Sequence, residues 1–380
     1  MPATTTEWFE IDPSPDVELA IPREPLRYAV HRVAGSQEAD RPLLFFIHPQ
    51  GMRPDSDYVR DKLAPFLAAQ GFVVVAVVHH GTFHRSPADM SFLALEDWYD
   101  RLERQFAIRA GGDLQTALAA LAQAGVKALP ADMLLYRDTG LDYESFGFLS
   151  ALDYLAVYAD LVRRGAVFDR KRVMAYGSSH GGYIAMLLLK LAPGLLSVVI
   201  ENSGWVEAVD KVLNDAWGGT VRSLGFAGMR LGYRLRSPWT RDDPSHAWYF
   251  APSHRAVRDL TSDQFRPQKG TVLLSFHSSQ DELIPIARKR LCWDRLGQVM
   301  DLRAVEIGPD DLDGSIFKTS AHGMDASLRG LFDRAMGMLG EVLPCSTDPF
   351  AEGLEVKLAC ADRHYHLSFG KDYRLVCQIV

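Results

Sequence analysis

The sequence predicts an α/β protein in which a mostly parallel sheet is covered by helices on both faces. Short apolar runs rich in β-branched residues alternate with amphipathic patterns through most of the 380 residues, as in strand–helix–strand units. The composition, 47% hydrophobic and 23% charged residues, is that of an ordinary globular chain. A chain of this length can form one large domain with insertions or two smaller domains that share a core, and the composition does not choose between them.

The apolar runs predict six strands and the amphipathic patterns four helices. The predicted strands are 43–47, 72–78, 172–176, 196–200, 271–276 and 302–307, and the predicted helices are 57–70, 147–164, 182–190 and 286–297. Residues 17–35 alternate in polarity and break at Pro22 and Pro25. This pattern predicts two antiparallel strands ahead of the parallel sheet.

Two segments interrupt the alternation. Residues 82–143, with a helical pattern at 92–124, and residues 205–268, rich in Trp and Tyr, are too long for simple connections. We expect both to form a cap or lid on a main domain that spans residues 1–345. Residues 346–380 alternate in polarity as short strands do, which predicts a C-terminal β extension.

Charge and cysteine content narrow the class of protein. A net charge of -7 gives no general attraction to nucleic acid or to an anionic membrane, and we expect neither as a partner. The N-terminus lacks the basic start and apolar run of a secretory signal. Four cysteines without C-x-x-C spacing favour reduced thiols in a cytoplasmic protein. The oligomeric state stays open, and a homo-oligomer is compatible with the composition.

One sequence motif predicts a catalytic nucleophile. The predicted strand 172–176 runs into Gly177-Ser178-Ser179-His180-Gly181 and then into an apolar helix, which is G-x-S-x-G in a strand–turn–helix context. A nucleophile on such a sharp turn needs small residues on both sides. Ser179 is therefore the candidate nucleophile, and the backbone N–H of His180 is a candidate oxyanion donor.

A serine hydroxyl needs a base, and the base needs an orienting carboxylate. Asp281 follows the predicted strand 271–276, and His322 follows the next strand. The order Ser, Asp, His is that of α/β-hydrolases. Three other acids compete with Asp281 for this role: Glu201, Asp311 and Asp313.

These motifs permit a comparison with known families. The elbow with its doubled glycine, the segment from His277 to Pro285 and the His322-Gly323 pair resemble the prolyl-oligopeptidase and acyl-esterase branch of the α/β-hydrolase superfamily over residues 40–340. The elbow also resembles that of a bacterial α/β-hydrolase group with the sequence Gly-Ser-Ser-His-Gly-Gly-Tyr. The first resemblance implies a second oxyanion donor at Gln50 or Gly51.

Other residues are candidates for substrate binding. Arg230, Arg234 and Arg236 lie in a stretch without acids, and Trp205 starts the aromatic-rich segment. They would suit an anionic substrate, although a solvated lid surface and simple packing are the alternatives. The histidines at 79, 80 and 84 lack the further ligands of a metal site. We therefore predict neither a metal nor another cofactor.

The sequence thus predicts a serine hydrolase that cleaves a small carboxylic or carbohydrate ester through an acyl-enzyme. A small-peptide or amide hydrolase and an acyltransferase would use the same residues. Two alternatives from other classes are a non-catalytic binding protein with this fold and an accessory factor for glycan biosynthesis.

Overall fold

The structure is a computed structural model. It describes residues 3–35, 39–82, 92–94, 98–109, 114–130, 135–138, 141–208, 220–236, 239–240, 243–268, 270–340 and 343–380, and for several strand residues between 92 and 236 it describes the backbone alone.

Within these ranges the elements are numbered in chain order. The strands are β1 Thr4–Ile11, β2 Leu26–Val33, β3 Pro42–Ile47, β4 Val73–Val78, β5 Phe92–Ala94, β6 Ala128–Leu129, β7 Leu135–Asp138, β8 Asp169–Ser178, β9 Val198–Asn202, β10 Thr220–Phe226, β11 Met229–Arg236, β12 Val272–Ser278, β13 Asp301–Ile307, β14 Glu355–Cys360, β15 Arg363–Phe369 and β16 Leu375–Ile379. The helices are α1 Ala64–Ala69, α2 Trp98–Phe106, α3 Leu114–Gln123, α4 Phe148–Arg163, α5 His180–Leu191, α6 Pro252–Arg258, α7 Ile286–Leu296, α8 Leu328–Leu339 and α9 Pro349–Glu352. A π-helical turn, Val59–Leu63, precedes α1, and a 3-10 turn lies at Pro309–Asp311.

The central sheet contains eight strands of the described chain, in the order β1-β2-β4-β3-β8-β9-β12-β13. The pairs β1·β2 and β2·β4 are antiparallel, and all the following neighbours are parallel. β3, β4, β9 and β12 are buried along their whole length, as expected where helices cover both faces of a parallel sheet. This order and these directions give the chain an α/β-hydrolase fold.

The six predicted strands form, and so do the four predicted helices when the π-helical turn Val59–Leu63 is counted with α1. Their ends differ from the prediction by at most three residues. The prediction for residues 17–35 was wrong, because only β2 lies there and its antiparallel partner is β1, upstream. Four prolines, at 13, 15, 22 and 25, fall between the two strands. A proline has no N–H to donate to a strand ladder, so this stretch connects the strands instead of pairing.

The C-terminal β extension forms an antiparallel sheet, β14-β15-β16. Its inner face is buried at Val356, Leu358, Tyr365 and Leu367, in line with the predicted alternation. The hydroxyl of Tyr365 donates to Oε1 of Glu18 over 2.6 Å. Glu18 in turn forms an ion pair of 2.5 Å with Arg258 of α6, and both side chains are fully buried.

The chain divides into two compact units. The first contains residues 1–82, 145–208 and 252–380, and therefore includes the C-terminal sheet; the second contains residues 83–144 and 209–251. The second interrupting segment was predicted to reach residue 268, but residues 252–268 with α6 belong to the first unit. The cap role of the second unit stays a prediction.

The second unit has its own core. The strands β10, β11, β7 and β5 form one sheet, to which β6 adds beside β11. Trp98 and Leu102 of α2 pack with Leu118 and Leu121 of α3 and with Leu231 of β11. The helical pattern predicted over 92–124 was wrong at its start, because residues 92–94 form β5 and pair with β7.

None of the helices in the described ranges is long and apolar enough to cross a membrane.

Candidate active site

The turn between β8 and α5 holds Ser179 in an unusual backbone conformation. Its φ is 53° and its ψ is -121°, in a region that residues other than glycine rarely adopt. Two backbone hydrogen bonds fix the turn. The N–H of Ser179 donates to the carbonyl of Asn202 over 2.7 Å, and its carbonyl accepts from the N–H of Tyr183 over 3.0 Å. The serine is thus held at the carboxyl end of the central sheet.

Glycines allow the close packing that this turn requires. A Cβ on Gly177 would lie 2.6 Å from the backbone nitrogen of Gly182, and a Cβ on Gly181 would lie 2.7 Å from the carbonyl oxygen of His48. Neither position has room for a side chain. The start of α5 therefore packs directly against the end of β3.

Ser179, His322 and Asp281 form a continuous hydrogen-bonded series. The hydroxyl of Ser179 lies 2.7 Å from Nε2 of His322, and Nδ1 of His322 lies 2.8 Å from Oδ2 of Asp281. A carboxylate only accepts, so Nδ1 carries the proton and Nε2 is the acceptor for the hydroxyl. The side chain of His322 is 22% exposed and that of Asp281 is buried. This geometry suits transfer of the serine proton to the imidazole.

The surroundings of Asp281 favour its charged form. Its Oδ1 accepts the N–H groups of Leu283 and Ile284, each over 2.9 Å. Burial alone would raise the pKa of the Asp281 carboxyl. The hydrogen bonds from His322 and Ile284 and the nearby rings of His322 and His277 outweigh burial, and the pKa lies below its usual value. The group facing His322 is therefore a carboxylate at neutral pH.

The three competing acids have other partners. Glu201 at the end of β9 is fully buried and forms an ion pair of 2.7 Å with Lys289 of α7. Asp311 accepts the N–H of Gly308 in an exposed turn. Asp313, also exposed, accepts the N–H groups of residues 315, 316 and 317. The contact to His322 is made by Asp281.

The predicted oxyanion residues lie at the start of α5 and in the turn after β3. His180 is the first residue of α5, where backbone N–H groups point out of the helix end. Gln50 and Gly51 lie in the turn after β3, which the N–H of Met52 closes on the carbonyl of Pro49 over 3.2 Å. Gly51 has a φ of 84°, which glycine adopts readily. Their role as oxyanion donors stays a prediction.

A group of aromatic rings in mutual contact, which the sequence analysis did not predict, includes the ring of His180, the residue after the nucleophile. The rings of His48 and His79 stack at 4.3 Å with planes 7° apart. His79 is 6.1 Å from His180, whose ring lies 4.9 Å from that of Trp205. These residues are far apart in sequence, and only their positions at strand ends linked them. The described residues contain no group of three or more His, Cys, Asp or Glu side chains suited to a metal ion; His84 lies outside them.

The predicted substrate-binding residues have different locations. Trp205 is 1% exposed and packs on His180, so it belongs to the interior of the first unit. Arg230 is exposed on β11 of the second unit. The side chains of Arg234 and Arg236 lie outside the described residues. Substrate contact by all four residues stays a prediction.

The sheet order, the strained serine turn and the Ser–His–Asp contacts define a protein of the α/β-hydrolase class. Within that class, the chain belongs to the DUF2920 family of proteins of unknown function, whose model matches residues 135–377. No curated protein matches the chain.

Several solved structures are similar to the chain. Acylaminoacyl peptidase from Pyrococcus horikoshii is 15% identical with a TM-score of 0.45, over 90% of this chain and 42% of that one. Est1E from Butyrivibrio proteoclasticus with bound ferulic acid is 14% identical with a TM-score of 0.44, over 83% and 94% of the two chains. A thermophilic esterase, Est2, from Thermogutta terrifontis with bound butyrate is 13% identical with a TM-score of 0.43, over 87% and 95%. The chain thus spans less than half of the peptidase.

Proposed function

We propose that this chain is a serine hydrolase that cleaves an ester through an acyl-enzyme intermediate. The observation that carries the proposal is the hydrogen-bonded series from Ser179 through His322 to Asp281, with distances of 2.7 and 2.8 Å. A nucleophile, a base within hydrogen-bond reach and a carboxylate that orients the base are the parts that acyl transfer by serine requires.

In the proposed reaction, Ser179 attacks the carbonyl carbon of the ester while His322 takes its proton at Nε2. The carboxylate of Asp281 stabilises the imidazolium that forms, and His322 then returns the proton to the leaving alcohol. Backbone N–H groups of His180 and of Gln50 or Gly51 stabilise the oxyanion. Water attacks the acyl-enzyme in the second half of the reaction with His322 again as base, which releases the acid and restores Ser179.

The proposed substrate is a small carboxylic or carbohydrate ester. The resemblance of the sequence motifs to acyl-esterases supports this class, and no cofactor is required by the chemistry. An amide or small-peptide substrate would use the same residues with an amine as leaving group, and an acyltransferase would replace water with an alcohol. The three reactions differ in the acceptor and the leaving group, so product analysis separates them.

The first test is labelling with a fluorophosphonate probe, which reacts with activated serines. Wild type should label, and Ser179→Ala should not. The neighbouring Ser178 provides a matched control: its hydroxyl accepts from Nδ2 of Asn202 over 3.3 Å and has no contact with His322 in the described structure, so Ser178→Ala should retain labelling. Loss of labelling in both variants would point to a damaged turn.

The second test is hydrolysis of p-nitrophenyl esters of increasing acyl length. Ser179→Ala should lower kcat by about 10⁵-fold or more, because removal of a serine nucleophile leaves only binding and oxyanion effects. The acyl length with the highest kcat/KM measures the size of the acyl site. A folded wild type that neither labels nor cleaves any ester would refute the proposal and favour a binding protein with this fold.

A further inference from the structure

His277, near the end of β12, lies behind the acid loop that carries Asp281. Its side chain is fully buried. Nε2 lies 2.9 Å from the carbonyl oxygen of Ile284, and a carbonyl only accepts, so Nε2 carries the proton. Nδ1 has no hydrogen-bond partner among the described residues. The neutral ring is therefore satisfied by one bond, whereas a charged ring would bury a second N–H without an acceptor.

This hydrogen bond bears on the geometry of the triad. Ile284 is held at both ends, since its N–H donates to Oδ1 of Asp281 and its carbonyl accepts from His277. Oδ2 of Asp281 lies 2.8 Å from Nδ1 of His322 and 3.7 Å from Nε2 of His277. His277 thus fixes the loop that orients the carboxylate, and its ring borders the oxygen that His322 uses.

A buried ion pair between Lys289 and Glu201 also acts on the charge of His277. Nζ of Lys289 is 2.7 Å from Oε1 of Glu201 and 3.0 Å from the carbonyl of Gly204. Glu201 also accepts the hydroxyl of Ser275, which in turn accepts Nε1–H of Trp293 over 2.6 Å. The side chains of Lys289 and Glu201 are both fully buried. These fixed charges act on His277 with little screening by water.

The charged groups around His277 act in opposite directions. Burial lowers the pKa of His277, and the positive charge of Lys289 lowers it further. The carbonyl of Ile284 and the carboxylates of Glu201 and Asp281 raise it by less. Burial is the largest of these effects, so the buried position of the ring is the main reason that the pKa of His277 lies below its usual value.

We propose that His277 is a positioning residue for Asp281: its neutral ring holds Ile284, and with it the loop that presents the carboxylate to His322. The proposal rests on the proposed hydrolase function of Ser179, His322 and Asp281. A protonated His277 would place a cation 3.7 Å from Oδ2 of Asp281, where it would compete with His322 and destabilise the imidazolium needed for catalysis.

Histidine NMR gives a readout that does not need activity. The His277 ring should stay neutral in wild type down to the onset of acid unfolding. Titration of His277 in wild type would refute the proposal even if Ser179 labels normally. Absence of labelling with a ring that stays neutral would instead refute the hydrolase function alone.

The decisive experiment measures kcat and KM for a p-nitrophenyl ester in two single variants of His277, with circular dichroism as a check that each variant is folded. His277→Leu should lower kcat with little change in KM, because the loop that carries Asp281 loses its anchor. His277→Gln should restore most of kcat, since it still donates to Ile284. Equal activity of the folded Leu and Gln variants would contradict a positioning role.

Discussion

Two buried carboxylates lie at the carboxyl ends of neighbouring parallel strands, and their partners differ. Asp281 follows β12 and accepts from His322, whereas Glu201 ends β9 and pairs with Lys289. Both have the charge and the position in the fold that a triad acid needs. Position at this edge of the sheet therefore does not identify the acid of the triad. The partner of each carboxylate identifies it.

The two carboxylates also differ in how their oxygens are used. Asp281 directs Oδ1 to its own loop and leaves Oδ2 for His322. Glu201 accepts from Lys289, from the Ser275 hydroxyl and from the N–H of Gly204. All these contacts of Glu201 are with groups in the interior and stabilise it. We therefore expect loss of Asp281 to affect the reaction and loss of Glu201 to affect stability.

The largest expected effect is that of Asp281→Asn on turnover. The amide keeps the shape of the side chain but removes the charge that stabilises the His322 imidazolium, so kcat should fall by about 10⁴-fold. Steady-state kinetics with a p-nitrophenyl ester measures the effect, and circular dichroism checks that the variant is folded. A folded variant within tenfold of wild type would remove Asp281 from the triad and break the comparison.

The next largest effect is that of Glu201→Gln on stability. The substitution leaves the Lys289 ammonium buried without its counter-charge, which costs about 3–5 kcal/mol in comparable buried pairs. Urea unfolding of wild type and variant measures the difference. The folded fraction should still label with fluorophosphonate. Loss of labelling without loss of stability would mean that Glu201 acts in the reaction. The double variant with Lys289→Met should recover most of the lost stability.

The smallest effect is expected for Asp313→Asn. Of the three acids that compete with Asp281, Asp313 is the closest to His322 in sequence. Its exposed carboxylate accepts backbone N–H groups of its own turn, and an asparagine oxygen can accept the same bonds. Activity should stay within about twofold of wild type. A drop as large as that of Asp281→Asn would show that His322 changes its acid partner during the reaction.

The sequence predicted the elements that have local signals. Apolar runs identified the buried parallel strands, and the glycines around Ser179 identified the turn, because both features are written in neighbouring residues. The order of Ser179, Asp281 and His322 identified three side chains that the structure brings together. Strand β1 was missed because its partner β2 lies beyond a proline-rich connection. Residues 92–94 were predicted as helix because their partner strand, β7, is distant in sequence.

Contacts between distant residues had no signal in the sequence. Lys289 lies in a helix with an ordinary amphipathic pattern, and only the fold places its ammonium against Glu201. His48 and His79 come directly after the neighbouring parallel strands β3 and β4, and only that pairing brings their rings together. Pattern analysis thus found the reacting groups and missed the interior contacts that set their surroundings.

The contact of Tyr365 with the Glu18–Arg258 ion pair also affects when this part of the interior can form during synthesis of the chain. Both charges are present once residue 258 has been made, but the hydroxyl that completes their bonding comes from a strand more than a hundred residues later. The carbonyl of Arg258 accepts the hydroxyl of Tyr183, on the helix that Ser179 precedes. A nascent chain that stops short of β15 therefore lacks one of the hydrogen bonds to Glu18, whose two oxygens also accept from Arg258. The ribosome must release the chain through residue 365 before this part of the interior is complete.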